Sequence, residues 1–168
     1  MEFPSRPSPT RKMQEPPVDP QPPSSAAGVL VAEDDATIRA VLGTALHEHG
    51  LTAWLAANGT DALELFRQHR HEIGAVLLDV RMPRLDGPST LAAIRQIDPQ
   101  VPCCFMSGYS ANYSEQELLA LGAVRVFDKP FHLHQIIEVL EQLCGLPPDR
   151  GQTPPGGEPG PLASKDDG

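Results

Sequence analysis

Lysine and arginine never gather into a block in this 168-residue chain, whose formal charge is −9 from 13 basic and 22 acidic residues. With nothing to neutralise a run of phosphates, direct binding to nucleic acid is disfavoured. Long apolar runs are missing too. The opening MEFPSRPSPTRKMQEPP has nothing like a signal-peptide core, and no segment reaches the roughly 20 apolar residues that span a bilayer. A cytoplasmic chain without membrane contact is the expectation. Cysteine is scarce: Cys103, Cys104 and Cys144 show no metal-ligand spacing, and adjacent residues in a strand point to opposite faces. All three are expected to be reduced, buried and inert. Trp54 is the single tryptophan, and packing is its expected role. The Asn-x-Ser/Thr tripeptides at Asn58 and Asn112 are expected to be incidental.

Proline is scarce only in the middle. Of 19 prolines, eight precede residue 28 and six follow residue 144, and neither flank has apolar periodicity. Residues 1–27 and 145–168 therefore read as disordered or extended tails around a folded unit at 28–144. That unit carries eight basic and 15 acidic residues, and Lys129 is its one lysine.

Within the unit, apolar runs alternate with helical periodicity. GVLVAE (28–33), TAWLAA (52–57), AVLLD (75–79), VPCCFM (101–106) and VRVF (124–127) read as strands. Between them, Ile38, Val41, Leu42, Ala45 and Leu46 mark one helix face, Ala62, Leu63 and Phe66 a second, and Leu91 and Ile94 a third. Ser114 and Glu117 form a capping box opening a helix that Gly122 closes, and Leu133, Ile136, Ile137 and Leu140 mark the last helix. Five repeats of strand then helix predict an α/β fold, a parallel sheet wrapped by helices on both faces.

Polar residues collect where the strands end. Glu33, Asp34 and Asp35 follow the first, Asp79 closes the third, Ser107 follows the fourth and Lys129 follows the fifth. In an open parallel sheet these ends share one edge, where ligands bind. Three converging carboxylates repel unless a cation joins them, and oxygen-only ligands with room for water suit Mg²⁺. Asp35 reads instead as the cap of the following helix. A carboxylate beside a cation and an ammonium stays ionised and can attack phosphorus, while Lys129 and a hydroxyl meet the charge that spreads over the transferring oxygens. The six histidines show no zinc-like spacing. His47, His49, His69 and His71 fall at helix C-termini and His132 and His134 begin the last helix, so all are expected at the surface.

The set VLVAEDD with Arg39 following, LLDVRMPRLDG, FMSGYS and VFDKPF resembles, in order and spacing, the receiver domain of bacterial response regulators across residues 28–144. The resemblance implies a flavodoxin-like, doubly wound sheet of order 2-1-3-4-5 with five helices, an order that the general account of such folds already gives for a member of this family. It also implies that Asp79 accepts a phosphoryl group from the phosphohistidine of a sensor histidine kinase or histidine phosphotransfer protein. Glu33, Asp34, Asp79 and the main-chain carbonyl of Arg81 would hold Mg²⁺. Ser107, the Gly108 amide and Lys129 would bind the phosphoryl oxygens, and the Lys129–Pro130 bond would be cis. A downstream protein would dock on the face of the fourth helix, fifth strand and fifth helix. Where many members carry an aromatic switch, three positions before the lysine, this chain has Val126, with Phe127 facing the other way. Rival readings fare worse. An aspartate-nucleophile phosphatase wants an acid where Arg81 stands, and a flavodoxin wants a hydroxyl-rich loop where EDDATIR stands. An unphosphorylated pseudo-receiver acting as a plain interaction module is the alternative.

Overall fold

The computed structural model describes residues 28–109 and 112–146; of the tails expected at 1–27 and 145–168, all but Gly145 and Leu146 lies outside the described residues. Strands and helices alternate along the chain: β1 (Gly28–Ala32), α1 (Ala36–Glu48), β2 (Thr52–Ala56), α2 (Gly59–His69), β3 (Ile73–Asp79), α3 (Gly87–Ile97), β4 (Cys103–Ser107), α4 (Glu115–Ala120), β5 (Arg125–Asp128) and α5 (Leu133–Leu143). All pairings are parallel and the sheet order is β2-β1-β3-β4-β5, the doubly wound arrangement expected. Parallel neighbours need long crossovers, and α1 to α4 each lie in one, while α5 follows the last strand.

Strand alternation sorts neighbours onto two apolar layers. On one face Val29, Val31, Leu77 and Met106 meet Leu42, Leu46, Ile136 and Leu140; on the other Leu30, Val76, Leu78 and Phe105 meet Phe66, Leu91, Ile94 and Leu118. Cys104 and Phe127 belong to the first layer, while Cys103 lies in the second and Val126 packs against it. All three thiols are buried and free. Burial pushes Cys104 up to about 12 and Cys144 to about 11, and it raises Cys103 as well, so each stays protonated.

Several boundaries differ from expectation for identifiable reasons. β4 begins at Cys103 because Pro102 has no N–H for the ladder, although its carbonyl still accepts from the Val76 N–H at 2.9 Å. β3 begins two residues early, at Ile73, where the register against β1 is irregular. Apolar composition overstates burial in β2, an edge strand that exposes Thr52 and Leu55. Val41 is 49% exposed rather than in the core, because Leu42, Ala45 and Leu46 carry the contact of α1.

The helix ends follow side-chain chemistry. Asp35 accepts from the Thr37 and Ile38 N–H groups, and both arms of the Ser114–Glu117 capping box are present. Gly122 closes α4 at φ +97°. α5 ends in the same manner past its expected limit: Gly145 at φ +73° lets the Leu146 N–H reach the Glu141 carbonyl at 2.9 Å, and Leu146 packs on the core. At this end of the sheet the Cys144 thiol donates to the Gly28 carbonyl across 3.8 Å. Two histidines are less superficial than expected. His49 Nδ1 meets Glu141 Oε1 at 2.8 Å, tying α1 to α5, and His69 stacks on Trp54 with ring centroids 3.6 Å apart.

Candidate functional site

Every strand of a parallel sheet delivers its C-terminal end to the same edge. There the structure brings together Glu33, Asp34 and Asp79, with one carboxylate oxygen from each lying within 4.8 Å of the others. Lys129 follows β5 and reaches in among them. Its Nζ lies 2.9 Å from Glu33 Oε2 and 3.3 Å from Asp79 Oδ2. Ser107, the last residue of β4, is buried, and its carbonyl accepts the Lys129 N–H at 2.7 Å. Gly108 and Lys129 line a recess with Ile38, Tyr109, Pro130 and Phe131. Asp34 and Arg81 line an adjoining crevice of about 580 Å³. The backbone N–H of Arg81 bonds the Asp79 carboxylate, while the Arg81 side chain is exposed. The Lys129–Pro130 bond is cis.

Local sequence explains why Asp79 sits where it does. The ladder continues one residue past it, the Val80 N–H bonding the Met106 carbonyl at 2.9 Å. The chain then doubles back, and the Gly87 N–H reaches the Val80 carbonyl at 3.0 Å. A Cβ on Gly87 would collide with the Asp79 carbonyl oxygen, so this return admits only glycine. Asp86 then caps α3 by accepting from the Ser89 N–H at 2.8 Å, and Pro88 occupies the first turn.

Charge in the site is unbalanced. Burial opposes ionisation of both Glu33 and Asp79 and holds each above its usual range, with Lys129 pulling part of the way back. Burial also works against the Lys129 ammonium, but its bonds to Glu33 and Asp79 outweigh that and hold it above its usual value. Three carboxylates against one ammonium leave net negative charge at a site with oxygen donors only. Glu33 and Asp79 are buried and anchored, while Asp34 is exposed and open to water. That donor set fits a hard divalent cation such as Mg²⁺. Among the described residues no other group of three or more histidine, cysteine or acidic side chains is placed to hold a metal.

One contributor was visible in the sequence only as part of a pattern. The Nη1 of Arg39 donates to the Glu33 carbonyl at 2.7 Å and the Asp34 carbonyl at 3.3 Å, behind the acidic turn. These contacts are to backbone atoms, which apolar periodicity does not report.

Comparison with known proteins points in one direction. Residues 29–141 match the family model described as response regulator receiver domain. Sporulation initiation phosphotransferase F of Bacillus subtilis is 31% identical over 118 residues, covering 70% of this chain and 94% of its own length. Sensor kinase CckA of Brucella abortus is 33% identical over 120 residues, 71% of this chain but 13% of its own length, so this chain spans only a small part of that relative. Among solved structures, the Francisella response regulator 1452 receiver domain superposes with a TM-score of 0.64 at 29% identity, covering 70% of this chain and 96% of that one.

Proposed function

Because the chain belongs to the response regulator receiver domain family, the signalling module of two-component systems, we propose that Asp79 is its phosphoacceptor. The observation that carries this is Lys129 shared between Glu33 and Asp79 at 2.9 and 3.3 Å, with Asp34 alongside. An Asp79 carboxylate oxygen attacks the phosphorus of a phosphohistidine on a sensor histidine kinase or histidine phosphotransfer protein. The new O–P bond forms as the P–N bond breaks, and the imidazole leaves with its electron pair. Lys129, already in contact with Asp79, is placed to follow the phosphoryl oxygens, and the Ser107 hydroxyl and Gly108 amide supply further donors. Glu33, Asp34, Asp79 and the Arg81 carbonyl would hold Mg²⁺, which supplies positive charge against the negative charge of the phosphoryl group.

The chain signals and does not turn over a substrate: its output is altered binding to a downstream protein. The face of α4, β5 and α5 suits that role, since Leu119, Leu121 and Val124 are exposed there. Among the described residues no helix is long and apolar enough to cross a membrane, and the cytoplasm is the proposed location. A relative named a phosphotransferase and another named a sensor kinase support the phosphorelay reading. A complete set of acids, lysine and hydroxyl disfavours the unphosphorylated interaction module. Incubation with Mg²⁺ and acetyl phosphate should add one phosphoryl group by intact mass, and Asp79→Asn should add none. The same gain in Asp79→Asn refutes the assignment.

A further inference from the structure

We propose that Arg39 is a positioning residue for cation binding: it presents the Glu33 and Asp34 carboxylates by fixing the two peptide planes from which they extend. The inference rests on the reading that these carboxylates hold Mg²⁺. A single nitrogen, Nη1, donates to the carbonyls of both residues, at 2.7 and 3.3 Å. In a trans peptide the carbonyl and the following N–H point in opposite directions. A donor that draws the Asp34 carbonyl towards α1 therefore turns the Asp35 N–H the other way. That N–H lies 3.1 Å from Glu33 Oε1. The other oxygen, Oε2, takes Lys129 at 2.9 Å. The Glu33 carboxylate is thus held at both oxygens, by the ammonium from the end of β5 and by the turn that Arg39 clamps.

The turn needs such a clamp. β1 ends at Ala32, and the last sheet-like tie is the Glu33 N–H on the Ala56 carbonyl at 3.1 Å. Helical bonding resumes only with the Arg39 N–H on the Asp35 carbonyl at 3.0 Å. Between these points the carbonyls of Glu33 and Asp34 receive the arginine side chain instead, the first in a partly buried bond, where a backbone acceptor requires a donor, and the second in an exposed one. Helix geometry makes the reach natural, since side chains of α1 lean back towards its N-terminus and a residue one turn in covers the preceding loop. Arginine suits the task because it stays charged and presents several donors on a planar head. Without it, the two peptide planes are free to rotate, and the carboxylates lose the preorganisation that favours cation uptake.

The test is calorimetric titration of the full chain with Mg²⁺, paired with amide hydrogen exchange. Arg39→Ala should weaken Mg²⁺ binding by about tenfold, the lower end of what loss of a supporting partner costs a metal site. Exchange at the Asp35 amide should accelerate, while the Val31 amide within the sheet keeps its protection. Arg39→Lys should recover most of the affinity, and His49→Ala, at the far end of α1, should leave it unchanged. Arg39→Met keeps the apolar stem without donors and carries the same test should the alanine variant not fold. Wild-type Mg²⁺ affinity in the donor-free variants, with Asp79 still accepting a phosphoryl group, overturns the positioning role and leaves the proposed function standing. No Mg²⁺ uptake by the unaltered chain overturns both.

Discussion

Consider Asp79→Asn in buffer free of divalent cations. The Asp79 carboxylate is 6% exposed and lies 3.3 Å from the Lys129 ammonium, an attraction of about 5 kcal/mol at an effective dielectric constant of about 20. Its separation of at most 4.8 Å from an ionised Glu33 oxygen returns a repulsion of no less than about 3.5 kcal/mol on the same scale. Asp34, exposed and screened, adds a smaller amount. Desolvating the carboxylate costs several kcal/mol more. The charge on Asp79 is therefore a net cost, in keeping with a carboxyl held above its usual range by burial. Asparagine keeps the shape and drops the charge, so the variant should be more stable by about 1–2 kcal/mol and melt roughly 3–8 °C higher.

The pH dependence follows from the sign of the shift. A carboxyl whose folded pKa lies above its unfolded value favours the fold when protonated, and that advantage is lost as pH rises. The gap between variant and wild type should be smallest below the ordinary value of 3.8 and widen as pH climbs through the raised folded value. Mg²⁺ should reverse the order at neutral pH, because a ligand that binds only the folded state stabilises it and the wild type offers one more carboxylate. Calorimetric melts from about pH 3 to about pH 8, with and without Mg²⁺, measure all of this. An asparagine variant that melts at or below wild type at neutral pH without cation refutes the reasoning, as does a gap independent of pH.

Lys129→Arg should retain Mg²⁺ uptake yet lose the chemical-shift response to a phosphoryl mimic, because a guanidinium fork does not replace a compact ammonium between two carboxylates; a normal response would make Lys129 incidental. Gly87→Ala should lower the urea midpoint by an amount equivalent to about 2 kcal/mol or more, since the new methyl meets the backbone of Asp79, and an unchanged midpoint would contradict that close approach. A thiol reagent at mildly alkaline pH should leave all three cysteines of the native protein untouched and label them after unfolding; rapid native labelling would contradict their burial.

The sequence announced whatever is local or periodic. β1, β3 and β4 are continuous apolar runs because both faces are covered, and the Ser114 and Asp35 caps are written in adjacent residues. The strand-end rule made Glu33, Asp34, Asp79, Ser107 and Lys129 neighbours without any coordinates. Pairings between distant side chains were not legible. Lys129 meets Glu33 across 96 positions and His49 meets Glu141 across 92, and Glu141 looks in the sequence like any exposed helical acid. Trp54 against His69 likewise depends on how α2 lies over an edge strand. Boundaries slipped where backbone hydrogen bonding decided them, as at Pro102, or where a glycine with positive φ turned Leu146 back onto the end of α5.

The contact between the Gly28 carbonyl and the Cys144 thiol makes the described polypeptide nearly a closed ring. The gap in that ring lies at the pole across from the acidic crevice. The first and last described residues therefore lie away from the approach to Asp79. For the same reason a short bridge across the gap, with new ends cut into an exposed loop, should yield a circularly permuted chain with its carboxylates undisturbed.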